Sequence, residues 1–189
     1  MLVFLTALVI GATVGYLSGG RLRNLEHLAL VKPWLVLASL GLQVVAFSPV
    51  GETLGQPATV ALHFVSYGLL VWFVVLNRSR LGVVIAGVGL GLNLVVIAAN
   101  GGFMPASRAA LKLAGVAYSG QTHNNSGVSG AGTHLSFLGD VFATPAWVPA
   151  ANVFSVGDLL IVAGIVILLV AAMRGSHAVV ADVVELPAD

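Results

Sequence analysis

Cysteine is absent from this chain of 189 residues. Disulfides, thiolate nucleophiles, cysteine metal sites and lipidation at cysteine are therefore excluded. Charge is scarce too: Asp, Glu, Lys and Arg make up 8% of residues, against about 25% in a soluble domain. So little charge cannot cover a water-soluble fold. Neither sign dominates, with 8 Lys+Arg against 7 Asp+Glu, and the basic field that nucleic acid requires is missing. There is no phosphate-binding glycine loop, no HExxH helix and no G-x-S-x-G elbow. His123 and His134 stand in polar, glycine-rich sequence and read as solvated loop histidines. No metal or other cofactor is expected.

What is abundant is apolar: 58% of residues, with a mean hydropathy of +1.03. A membrane span needs about 20 apolar residues to cross roughly 30 Å of hydrocarbon. Five stretches qualify, at 2–18, 33–47, 58–76, 81–99 and 153–173. The fold expected is an all-α integral membrane protein: five transmembrane helices in one domain over 1–174, then a flexible cytoplasmic tail, 175–189. In a five-span path Arg21, Arg23, Lys32, Arg78, Arg80 and Arg174 share one side, leaving Arg108 and Lys112 on the other. The positive-inside rule then puts the N-terminus outside and the C-terminus in the cytoplasm. Residues 100–152 become one long outward loop between helices 4 and 5. Cations follow the first apolar run instead of preceding it, unlike a secretory signal, so that run is expected to stay as a helix. In the loop, Pro105 marks a helix start within 104–116, and 119–133 reads as flexible.

Glycine is plentiful, at 23 residues. Gly11 and Gly15 stand four apart on the first span, as do Gly87 and Gly91 on the fourth. Such faces let helices approach closely, either within one bundle or as a seam for a second copy or another membrane protein.

Polar side chains in hydrocarbon are costly, so their depth is informative. At about 1.5 Å per residue, Gln43, His63, Asn93, Asp158 and Thr6 all lie about 8–10 Å below the outer surface. The inner halves of the spans hold no comparable layer, which disfavours a transport path. Facing one another, these residues would line an outward polar pocket; otherwise each is helix-helix glue. Asp140 and Asp158 permit two accounts. As a close pair sharing a proton, they could serve as general base and general acid in a hydrolysis. Alternatively, Ser155-Val156-Gly157-Asp158 fits a capping box opening the last helix, and Asp140 orients a turn.

The strings Asn100-Gly101-Gly102-Phe103-Met104-Pro105, Phe137-Leu138-Gly139-Asp140 and Asn152-Val153-Phe154-Ser155-Val156-Gly157-Asp158 resemble an uncharacterised bacterial family of small multi-span membrane proteins. That resemblance implies a bacterial cytoplasmic membrane and no particular activity. Asp158, Ile161 and Gly164 resemble the Asp-x-x-Ile-x-x-Gly pattern of signal peptidase II, whose other catalytic aspartate lies about as far upstream as Asp140. This second resemblance implies Asp140 and Asp158 as catalytic residues. Asn152, six residues before Asp158, departs from the family's spacing of three. The expected function is a non-catalytic accessory or assembly component with an outward polar site. Asp140 and Asp158 form its centre, lined by Asn100, Asn152, His63, Asn93 and Gln43. The alternative is an aspartic hydrolase acting on a membrane-embedded substrate.

Overall fold

The computed structural model describes residues 2–116, 126–149 and 151–175. His123 and nearly all of the expected tail lie outside these residues. The described chain is mostly helical. Helix α1 covers Leu2–Leu17, α2 Trp34–Ala46, α3 Pro49–Leu54, α4 Gln56–Leu76, α5 Leu81–Ala99, α6 Arg108–Leu113 and α7 Val156–Met173. Three of them, α4, α5 and α7, are long and apolar enough to cross a membrane. The two other apolar helices are shorter: 16 residues in α1 and 13 in α2. At about 1.5 Å per residue, α2 rises about 20 Å, less than a full span. Its run stops at Phe47, where Ser48 caps the short α3 and Pro49 takes the first helical position.

Glycine sets the closest packing. Helices α5 and α7 run antiparallel and touch backbone to backbone, Gly82 against Gly164 and Gly89 against Gly157. A Cβ at Gly89 would lie 2.9 Å from the Ile161 amide nitrogen, and one at Gly82 would lie 2.6 Å from that of Leu168. Helix α1 packs on the other side of α7. A Cβ at Gly11 would lie 2.7 Å from Leu169 Cδ1 and 3.3 Å from the Val166 backbone, and Gly15 lies against Met173. Helix α2 packs on α4, and Gly87 of α5 receives the Val74 side chain of α4. Gly91 has nothing within 4 Å. Tyr67, Leu90, Val96, Ile97 and Met104 form the core between α4, α5 and the segment that follows. Large apolar side chains such as Val9, Leu37, Val65, Val88 and Val95 are exposed. A helix apolar on all sides, with its outer residues bare, fits a bilayer and not water.

The described parts of the segment between α5 and α7 depart from the expected interfacial helix, and of the loop expected at 119–133, residues 119–125 lie outside the described residues. Met104–Ala106 is a strand, β1, pairing in parallel with β2, Ser126–Val128. The helix beyond it is confined to α6. Pro105 lacks an N–H but its carbonyl accepts from the Asp140 amide at 2.8 Å, while the Ser107 amide donates to the Asp140 carbonyl at 2.9 Å. These extended contacts on both edges outweigh the helix-starting preference of proline. Strands β3, Phe142–Ala143, and β4, Val153–Phe154, pair antiparallel, with Phe142 and Phe154 stacked at 5.6 Å. Residues 153–154, expected as the start of the last span, are therefore strand. Helix α7 begins only after Ser155.

Candidate functional site

Asn93 projects from α5 toward the first turn of α7, where glycine makes room for it. A Cβ at Gly157 would collide with Asn93 Oδ1. The Ser155 hydroxyl donates to Asn93 Oδ1 at 2.9 Å and accepts from the Asp158 amide at 3.0 Å. Asp158 Oδ2 accepts from the Ser155 amide at 3.0 Å, and Oδ1 accepts from Asn93 Nδ2 at 3.0 Å. The capping box is thus formed in both directions, and Asn93 closes it into a ring across two helices. Ser155 and Asn93 are buried, Asp158 half-buried. Both carboxylate oxygens of Asp158 are committed to neighbours.

Asp140 sits apart from this ring, in the segment between α5 and α7. The β1 ladder holds its backbone, and Gly139 is required beside it because a Cβ there would strike the Pro105 carbonyl. Its carboxyl is buried, with Oδ2 accepting from the Ser126 hydroxyl at 3.1 Å. Burial pushes the carboxyl up from 3.8 to about 7, the charge of Asp158 adds to that, and the Ser126 bond opposes it. The two aspartates feel one another electrostatically, but each bonds to its own partners.

Asn100 is buried at the end of α5 and acts as a clasp. Its Nδ2 donates to the Val96 carbonyl at 2.8 Å and the His134 carbonyl at 2.9 Å, and its Oδ1 accepts from the His134 amide at 2.9 Å. The same three-bond pattern recurs at the end of α4. There Asn77 donates to the Phe73 and Val31 carbonyls at 2.9 and 3.0 Å and accepts from the Val31 amide at 2.8 Å. Nothing in the sequence reading singled out Asn77. Its signal was an asparagine directly after an apolar run, the same position Asn100 holds. Asn152 is exposed and joins the fold through its backbone, which exchanges bonds with Thr144.

Gln43 and His63 belong to a second cluster, on α2 and α4. Gln43 Nε2 donates to the Ser66 hydroxyl at 3.2 Å, which donates to the His63 carbonyl at 2.6 Å. The His63 ring is buried between Phe47 and Tyr67, each centroid 5.0 Å away and each ring edge-on. Neither imidazole nitrogen has a partner among the described residues. The ring lines a cavity of about 330 Å³ together with Phe47, Glu52, Gln56, Val60 and Phe103. The polar residues that share a depth in sequence therefore separate in space, Asn93 with Asp158 on one side and Gln43 with His63 on the other. Among the described residues no three His, Asp or Glu side chains converge as metal ligands would.

The glycine seam between α5 and α7 also went unread in sequence. Gly82 and Gly89, like Gly157 and Gly164, stand seven apart, and matching intervals on two apolar runs were its signal.

No curated protein and no solved structure matches the chain, so the likeness to signal peptidase II gains no support from known relatives. One family of unknown function, DUF5317, does match, over residues 27–170. That range takes in α2 to α5, both polar clusters and most of α7, and on it the chain belongs to the DUF5317 family.

Proposed function

We propose that this protein is a non-catalytic component of a bacterial cytoplasmic membrane. In this reading all five apolar helices cross or enter the bilayer, the N-terminus is outside, and the described parts of 100–152 form an outward cap. The cap is the part offered to a membrane-protein partner or a second copy. The charge pattern supports that orientation, with six of eight cations on the cytoplasmic side.

One observation carries the non-catalytic reading: Asp158 spends one oxygen on the Ser155 amide and the other on Asn93. A general base needs an oxygen directed at substrate or water. Here the carboxylate instead caps α7 and ties it to α5. The hydrolase reading draws on Asp140, whose carboxyl is raised to about 7 by burial first and by the charge of Asp158 second. Replacing each aspartate by asparagine separates the two. Asp158→Asn keeps one accepting oxygen and loses the other, which costs about 1 kcal/mol for the cap and about 1–3 kcal/mol for the donor left facing the new amide, and it is expected to complement a deletion strain, as is Asp140→Asn. If both variants accumulate normally and both lose function, the hydrolase reading replaces this one.

A further inference from the structure

The cavity beside His63 is unconnected with the aspartates and has the makings of a ligand site of its own. It is about 330 Å³, within the roughly 300–1,000 Å³ typical of small-molecule pockets. Its walls come from the end of α2, from α3, from the first turns of α4 and from the Gly101-Gly102-Phe103 turn. Gly102 stands at φ 100°, and a Cβ there would lie 2.8 Å from Val60, so this wall is built close without a side chain.

Three features define what would fit. First, His63 is 3% exposed, and neither ring nitrogen has a partner among the described residues. A buried polar group left in that state carries an uncompensated desolvation cost, which a bound hydrogen-bonding group would recover. Second, Glu52 carries the only formal charge among the described lining residues, and its carboxylate makes no ion pair or hydrogen bond with another of the described residues. An anion would meet repulsion here; a cation would meet an available carboxylate. Third, the phenyl rings of Phe47 and Phe103 share the lining, and aromatic faces attract cations. The hydroxyls of Ser48 and Thr59 already donate to the Val45 and Gly51 carbonyls, which leaves the Gln56 amide and the one N–H of a neutral His63 as side-chain donors of the wall. A neutral imidazole supplies one acceptor nitrogen.

We infer that this cavity binds a primary ammonium group, through the Glu52 carboxylate and the His63 ring, with Phe47 and Phe103 packed against its carbon chain. Such a group is carried by a free small amine and by the ethanolamine headgroup of a lipid. A trimethylated ammonium has the charge without the N–H donors, so discrimination against it is part of the inference.

The test uses the full-length protein in nanodiscs. In phosphatidylcholine discs, free ethanolamine is titrated by calorimetry. In mixed phosphatidylcholine and phosphatidylethanolamine discs, lipid retained after release is counted by native mass spectrometry. Ethanolamine binding identifies a free amine as the ligand, and selective retention of phosphatidylethanolamine identifies the lipid. In either case Glu52→Gln and His63→Phe are expected to weaken binding by about tenfold or more, the loss of one charge-assisted hydrogen bond. Glu52 is exposed on a short helix, so Glu52→Gln keeps the test decisive even if His63→Phe fails to accumulate. Absence of ethanolamine binding together with equal retention of the two lipids overturns the inference. So does binding that both variants leave unchanged, as a water-filled cavity would.

Discussion

Asp140 offers the sharpest test of the outward segment, because a buried carboxyl makes stability depend on pH in a defined direction. Its proton affinity is raised from 3.8 to about 7, first by burial, then by the charge of Asp158, with the Ser126 hydroxyl working against both. A raised carboxyl pKa means that the folded chain holds the proton more tightly than the unfolded chain. Below pH 3.8 both forms are protonated, and the contribution to stability is fully present. As pH rises toward 7 the unfolded form ionises first, and stability falls by about 1.4 kcal/mol per pH unit. The total lost by pH 8 is about 4 kcal/mol, beyond which the curve is flat with respect to this group. For a chain of this size about 1 kcal/mol corresponds to about 2–4 °C in Tm, so the predicted fall is about 8–16 °C between pH 4 and pH 8. The measurement is thermal unfolding in detergent across that range, for the wild type and for Asp140→Asn. The variant has no proton to lose, so the difference between the two curves isolates Asp140 from the other titrating groups. Asp158→Asn should move the midpoint of that difference downward, because it removes a neighbouring negative charge. Parallel curves for wild type and Asp140→Asn would refute the account, and with it the burial of Asp140 against Ser126.

The glycine seam predicts a contrast within one residue type. Gly89→Ala and Gly164→Ala press a methyl onto facing backbone and should each cost about 1–3 kcal/mol, whereas Gly41→Ala and Gly68→Ala meet nothing within 4 Å and should leave Tm unchanged or raise it. Asn100→Ala strands the His134 amide and carbonyl, costing about 1–3 kcal/mol; hydrogen exchange at 134–138 should quicken, and unchanged protection there would contradict the clasp. A reporter fused to the C-terminus should be active only if it folds in the cytoplasm, and a tag at the exposed Gly132 should be labelled from outside. The reverse result inverts the proposed orientation.

Much of the helical framework is legible because its apolar runs are long and nearly unbroken. The run 81–99 ends at Asn100 in sequence and in structure, and Ser155 with Asp158 announces where α7 opens. The site was harder. Hydropathy sets the depth of a side chain but not its azimuth around the helix, so Asn93, Asp158, Gln43 and His63 could be put in one layer and not in two clusters. Which helix meets which decides that, and it rests on glycine contacts between distant parts of the chain. The stretch 104–106 failed for a different reason. Pro105 favours a helix start locally, but its carbonyl is claimed by Asp140, 35 positions later. Local preference carries no information about such a partner.

The packing of α1 on α7 also sets a clock. The Met173 carbonyl accepts from the Arg21 amide and from Asn24 Nδ2, the second bond closing across 149 positions of chain. At about 5–20 residues per second, a ribosome takes about 7–30 s to travel from Asn24 to Met173. For that interval α1 is without the helix it is shaped to meet. A face built on Gly11 and Gly15 tolerates the delay, since glycine offers its surroundings no side-chain polar group to satisfy and no charge to draw a premature partner. A polar seam in the same place would have to be matched or chaperoned while the ribosome was still working.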